Sequence, residues 1–98
     1  MTVTVEARDG YLRVSGDMTL ETATALFARG LEISQSQSES PVFDLSGVDE
    51  VDSSGLAVLF GWMRAAEVQG KTMRIDNPPA NLVSLAQVYD VSDLLPLS

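Results

Sequence analysis

The chain has 98 residues, of which 14 are acidic and 6 are basic, so its formal net charge is −8 at pH 7. A chain of this length fits one hydrophobic core, and we treat residues 1–98 as a single domain. The absence of cysteine and histidine excludes thiolate metal sites, zinc hydrolases, Ser-His-Asp triads and phosphohistidine carriers. The negative charge repels phosphate backbones, so nucleic acid is not an expected partner.

No segment has the composition of a targeting or membrane-spanning element. The first ten residues (MTVTVEARDG) lack the basic start and the apolar run of a secretory signal. The longest apolar stretch, Gly55–Met63, is about half as long as a membrane-spanning helix. We therefore expect a cytoplasmic protein without direct membrane insertion, which a partner would hold at any membrane where it works.

The first third of the chain has the pattern of a β-hairpin followed by a helix. Residues 2–6 alternate between polar and apolar side chains, and an Asp-Gly turn separates them from a second strand over Tyr11–Val14. Apolar residues at helical spacing begin at Leu20, and Asp17 or Thr19 is the expected cap of that helix.

The remaining elements alternate between strands and helices. A strand over Val42–Leu45 precedes a helix over 53–69, and a strand over Thr72–Asp76 precedes a third helix with an apolar stripe over 82–89. The tail Val91–Ser98 is apolar enough to pack back on the body. The predicted order is β-β-α-β-α-β-α, which indicates an α/β fold: a small mixed sheet with helices packed on it.

The helix predicted over 53–69 has no polar side chain from Gly55 to Met63. The face expected to pack on the sheet consists of Leu56, Leu59, Phe60 and Met63. A second apolar face, with Ser54 in its first turn, consists of Ala57, Val58, Gly61, Trp62 and Ala65. This second face is either covered by the first or third helix of the same domain or exposed for binding another protein. The lone tryptophan favours binding, because tryptophan is enriched at the energetic centres of interfaces.

Four carboxylates lie in and after the third predicted strand: Asp44, Asp49, Glu50 and Asp52. Their spacing matches no calcium-binding loop, and Asp52 or Ser53 has a simpler role as the cap of the following helix. The serines at the helix start have no histidine to activate them, and no glycine-rich phosphate loop is present. We therefore expect no enzymatic activity, no metal site and no cofactor.

Two neighbouring segments carry a resemblance to a known family. Val42–Val48 (VFDLSGV) and Val51–Leu56 (VDSSGL) closely resemble the signature of STAS domains, found in anti-sigma factor antagonists and in the cytoplasmic tails of sulfate transporters. The signature positions are occupied here by Asp44, Asp52 and Gly55. The resemblance extends over nearly the whole chain and implies a mixed sheet with its helices on one side.

Two subfamilies match the signature. In anti-sigma factor antagonists the serine directly after the Asp, here Ser53, is phosphorylated by a partner kinase, so the expected partners in that case are an anti-sigma factor or serine kinase. In the small STAS subunit of Mla-type phospholipid transporters the hydroxyl residue at that position lies at the contact with the ATPase subunit. The segments Gly10–Leu20 and Leu85–Val91, with the ending Leu94-Leu95-Pro96, resemble the transporter group.

The resemblance thus implies a non-catalytic cytoplasmic accessory subunit of an ABC complex that transports phospholipid and maintains outer-membrane lipid asymmetry. Its expected partners are the ATPase subunit and, through it, a permease, which place it at the inner membrane. The expected contact residues are Ser53, Ser54, Ala57, Val58, Gly61 and Trp62. One alternative is an anti-sigma factor antagonist that is switched by phosphorylation of Ser53. Another is a free-standing domain that binds a ligand or associates with itself.

Overall fold

A computed structural model of the protein describes residues 3–97. Thr2, at the start of the first predicted strand, and Ser98, at the end of the predicted tail, lie outside the described residues. The observed order of elements confirms the predicted order and the α/β fold class. The elements are β1 (Thr4–Arg8), β2 (Tyr11–Met18), α1 (Ala23–Gln35), β3 (Val42–Val51), α2 (Ser53–Val68), β4 (Arg74–Asp76), α3 (Ala80–Val88) and a 3₁₀ turn (Ser92–Leu94).

The four strands form one mixed sheet in the order β1-β2-β3-β4. β1 and β2 are an antiparallel hairpin, closed by the predicted Asp-Gly turn in which Gly10 has a φ of 85°. β2 pairs with β3, and β3 with β4, in parallel, so each of these pairs requires a helical crossover. The helices cover one face of the sheet, whose buried side chains are Val5, Leu12, Val14, Phe43, Leu45 and Ile75.

β3 is longer than the predicted strand and includes most of the segment expected to be a loop. It continues to Val51 and pairs with β2 at Ser15–Gly47, Gly16–Val48 and Met18–Val51, with two irregularities in register. The polar side chains of this segment indicated a loop. Pairing with β2 and burial of Val48 instead favour strand structure over the local preference.

α1 begins later than the apolar spacing predicts, and neither of the two expected caps is used. The Thr22 side chain precedes the helix: its hydroxyl donates to the Asp17 carbonyl at 2.7 Å and accepts from the Thr19 N–H at 3.0 Å. These bonds form a compact turn before α1. Leu20 therefore lies outside the helix, and 75% of its surface is exposed.

The described part of the C-terminal tail packs back on the body, as predicted. Leu95 is buried, and the Ile75 N–H donates to the Pro96 carbonyl at 2.9 Å. Leu97 then forms a parallel bridge with Ile75 along the outer edge of β4. Among the helices of residues 3–97, none is long and apolar enough to cross a membrane.

Candidate functional site

Asp52 fixes the start of α2. Its Oδ1 accepts from the Ser54 N–H at 2.8 Å and from the Gly55 N–H at 3.2 Å, so Asp52 rather than Ser53 is the cap. Its Oδ2 accepts from the Leu20 N–H at 3.0 Å, across 32 residues of sequence. The carboxylate therefore binds the positive end of α2 and the turn before α1 at the same time.

Gly55 allows the first turn of α2 to lie directly on the end of β2. A Cβ atom at this position would overlap the carbonyl oxygen of Met18. The same carbonyl accepts from the Asp52 N–H at 3.2 Å, which holds it in place. The glycine of the signature is thus required by close backbone packing.

Asp44 is buried in β3 and anchors the turn that follows β4. Its carboxylate accepts from the Ser46 N–H at 3.0 Å, the Ser46 hydroxyl at 3.1 Å and the Asn77 amide at 3.0 Å. Burial by itself raises the pKa of Asp44, but these hydrogen bonds and the charge of Arg13 hold the pKa below its ordinary value. Asp44 is therefore an ionised carboxylate with a structural role.

The four carboxylates of this region do not come together. Asp44 and Asp52 each have their own hydrogen-bond partners, whereas Asp49 and Glu50 are exposed along β3. Within the described chain, no three acidic side chains converge on a point where a metal ion could bind. The two bonded carboxylates, Asp52 and Asp44, therefore have structural roles, in capping α2 and in holding the turn after β4.

The six expected contact residues divide into an exposed and a buried group. Ser53 and Ala57 are exposed and Ser54 is half-buried, and we call these three residues the α2 ridge. The Ser53 hydroxyl forms no hydrogen bond within residues 3–97, so it is available to a partner or a modifying enzyme. The three buried residues are Val58, Gly61 and Trp62.

Trp62 belongs to the core, and the expectation that it contacts a partner is wrong for the folded domain. Only 2% of its surface is exposed. Its ring stacks on Phe43 with centroids 4.2 Å apart and planes 3° apart, and its Nε1–H donates to the Phe27 carbonyl at 3.0 Å. α1 covers Trp62 closely because Gly30 faces the indole, where a Cβ atom would overlap the ring.

Val58 and Gly61 lie at the bottom of a shallow groove between α1 and α2, which we call the α1/α2 groove. A Cβ atom on Gly61 would lie 2.6 Å from Cε1 of Phe27, so the two helices approach closely here. Part of the second apolar face of α2 is thus covered by the first helix, which was one of the two alternatives. Ala57 remains exposed on the rim of the groove.

Two exposed apolar residues beside the α2 ridge were not predicted. Leu20 lies next to Asp52, and Tyr89, 53% exposed, lines a second groove together with Ser53 and Ala57. We call it the α2/α3 groove. The sequence placed Leu20 and Tyr89 on buried helical stripes, but α1 begins after Leu20 and α3 ends before Tyr89. No glycine marks either boundary, so the sequence carried no clear signal of their exposure.

Several exposed acidic residues lie close in sequence to Leu20, Asp52 and Tyr89. They are Glu21, Asp49, Glu50, Asp90 and Asp93. The basic residue that lines the α1/α2 groove is Arg64. A ridge of small residues with exposed apolar neighbours and acidic residues nearby fits a protein surface that has apolar side chains and a basic border.

Comparison with known proteins agrees with the signature. A family model described as "Mlab, STAS domain" matches residues 1–96. The intermembrane phospholipid transport system binding protein MlaB of Haemophilus influenzae is 33% identical over 67 residues, which cover 66% of this chain and 64% of that protein. The match therefore spans slightly less than two thirds of that curated relative.

Two solved structures have the same fold. A chain of the Acinetobacter MlaFEDB complex in its ATP-bound Vtrans2 conformation is 27% identical, with a TM-score of 0.81 over 97% of this chain and 100% of that one. The anti-sigma factor antagonist SpoIIAA in its unphosphorylated form is 15% identical, with a TM-score of 0.73 over 99% of this chain and 88% of that one. The second likeness is one of fold alone.

Proposed function

Because this chain belongs to the STAS-domain family of MlaB, we propose that it is a non-catalytic accessory subunit of a phospholipid-transporting ABC complex. In this role it binds the ATPase subunit, and through it the permease, at the cytoplasmic side of the inner membrane. The relative from H. influenzae and the chain of the MlaFEDB complex support this assignment.

The observation that carries the proposal is the exposed α2 ridge between two shallow grooves. Ser53 and Ala57 are small and exposed, so a partner can approach the backbone of α2 closely at this point. Leu20, whose N–H binds Asp52, and Tyr89, which lines the α2/α3 groove, add exposed apolar surface. Their burial at an interface would stabilise a complex, whereas exposed apolar patches are unfavourable in an isolated domain.

The alternative function, an anti-sigma factor antagonist switched by phosphorylation, also uses Ser53. Its hydroxyl lies in the first turn of α2, where the helix dipole stabilises a phosphate. The acidic residues nearby repel the negative charge of that phosphate, so phosphorylation would change which partner the ridge accepts. Mass spectrometry of the protein from its host separates the two functions, because only the antagonist requires phosphate on Ser53.

The direct test is binding to the purified ATPase subunit by isothermal titration calorimetry. Ala57→Gln places a longer side chain on the α2 ridge, and we expect the Kd to rise by about tenfold, the effect of a central contact. Ala28→Gln makes the same change at an exposed position of α1 away from the ridge and should leave the Kd unchanged. Circular dichroism spectra should match for both variants, because glutamine is a good helix former.

Equal affinities of the Ala57 and Ala28 variants would contradict the assignment of the α2 ridge. No binding of the ATPase subunit by the unmodified chain would contradict the proposed function itself. Phosphate on Ser53 together with a bound serine kinase would favour the antagonist.

A further inference from the structure

Arg64 is a basic residue without a partner in a chain of strong negative charge. Residues 3–97 contain all six basic side chains. Within this range the Arg64 guanidinium forms no hydrogen bond and no ion pair, not even with Glu67 three residues later. Four of the other five are hydrogen-bonded to a carboxylate or a carbonyl: Arg8 to Glu6, Arg29 to Glu32, Arg74 to Asp76, and Lys71 to the Gln37 carbonyl. The fifth, Arg13, forms no such bond in the described part of the chain, but it aligns with Asp44 on the neighbouring strand and its charge lowers the pKa of that carboxyl.

Arg64 lies at one end of the α1/α2 groove. The apolar part of the groove contains Phe27 and Val58, and its opposite end carries the hydroxyl groups of Ser54 and Thr24. Ser54 and Arg64 are ten residues apart on α2, which corresponds to about 15 Å along the helix axis. The groove therefore combines an apolar centre with a positive charge at one end.

The walls of the groove determine which backbone conformation fits it. Both walls are α-helices, and beyond the first turn of each the N–H and C=O groups are already hydrogen-bonded within the helix. An extended peptide would bury backbone groups here without partners, at a cost in free energy. A helix satisfies its own backbone and presents apolar side chains at i, i+3/i+4 and i+7 to such a groove.

We infer that the α1/α2 groove binds an amphipathic helix of the ATPase subunit, with a carboxylate of that helix paired to Arg64. This inference rests on the proposed function and extends the contact beyond the α2 ridge, with which the groove shares Ser54 and Ala57. The apolar side chains of the bound helix contact Phe27 and Val58. Its carboxylate lies at the Arg64 end, because Glu21 lies just before the opposite end and repels negative charge.

The test measures binding of the purified ATPase subunit to Arg64 variants. Arg64→Gln should raise the Kd by about threefold and Arg64→Glu by about tenfold, the range for a partly exposed ion pair and its reversal. Arg29→Glu is the matched control, because it makes the same charge change on the outer side of α1 and should have no effect. Acidic residues of the ATPase subunit are then changed to lysine one at a time, and one of them should restore the affinity of Arg64→Glu.

The outcomes separate this inference from the proposed function. Loss of binding in the Ala57 variant, with Arg64→Glu equal to Arg29→Glu, overturns the groove inference and leaves the proposed function standing. If Arg64→Glu loses binding and no acidic-to-lysine change in the ATPase subunit restores it, the proposed ion pair is also overturned. Sedimentation equilibrium of the chain alone tests whether a second copy of this chain occupies the groove instead. A dimer of the unmodified chain that dissociates in Arg64→Glu would overturn the inference. If the ATPase subunit does not bind at all, both fail.

Discussion

Replacing Trp62 by alanine tests whether this residue belongs to the core or to an interface. A tryptophan that is 2% exposed withdraws about 200 Å² from water, which at about 25 cal/mol per Å² corresponds to about 5 kcal/mol. Partial burial in the unfolded chain reduces this value, and truncation of core aromatics costs about 3–5 kcal/mol. We expect Trp62→Ala to lower the free energy of unfolding by about 4 kcal/mol.

This loss is a large fraction of the total stability, which is about 5–15 kcal/mol for a domain of this size. The assay is urea denaturation followed by far-ultraviolet circular dichroism, since Trp62 is the only tryptophan and its fluorescence is lost in the variant. Val68→Ala is the control on the same helix, because Val68 is 88% exposed and its truncation should change stability by less than about 0.5 kcal/mol. A loss below about 1 kcal/mol in Trp62→Ala, together with weaker binding of the ATPase subunit, would refute the burial argument.

Two further predictions concern the signature residues. Gly55→Ala should destabilise the domain by about 1–3 kcal/mol, because the added Cβ would overlap the Met18 carbonyl. In an unconstrained helix the same change stabilises the protein. A higher urea midpoint for the variant would therefore contradict this contact. The pKa of Asp44 is lower in the folded than in the unfolded chain, so the stability that it contributes is present above pH 4 or so and is lost as the pH falls below that value. Urea denaturation from pH 6 to pH 3 should therefore show the difference between the unmodified chain and Asp44→Asn shrinking, and a difference that is constant over this range would contradict the prediction.

The order of elements was predictable because it depends on local patterns. Alternating apolar residues and an Asp-Gly turn mark the hairpin, and the long apolar run after Asp52 marks α2. The length of β3 was not predictable, since it depends on pairing with β2 and not on the polar residues after Leu45. The start of α1 depends on the side-chain bonds of Thr22, which the apolar spacing does not reveal.

The candidate site was predictable only in part, for a similar reason. A helical projection identifies two apolar faces on α2, but it does not show which neighbour covers each face. Ser53 and Ala57 are exposed, as a contact surface requires, whereas Trp62 is covered by α1 because Gly30 lets that helix approach. The exposure of Tyr89 follows from the end of α3 one residue earlier, a boundary that the sequence does not mark.

The connection of the strands also has a consequence for how the chain folds. Among the strand pairs of residues 3–97, only the β1–β2 hairpin joins residues that are close in sequence. β2 pairs with β3 across α1: Arg13, for example, aligns with Asp44. Closing such a long loop costs entropy before the pairing compensates for it, which slows folding relative to a helical bundle. During synthesis, a nascent chain that ends before Val42 therefore contains a hairpin and one helix without the central strand. Cooperative structure should appear only after β3 and α2 have left the ribosome.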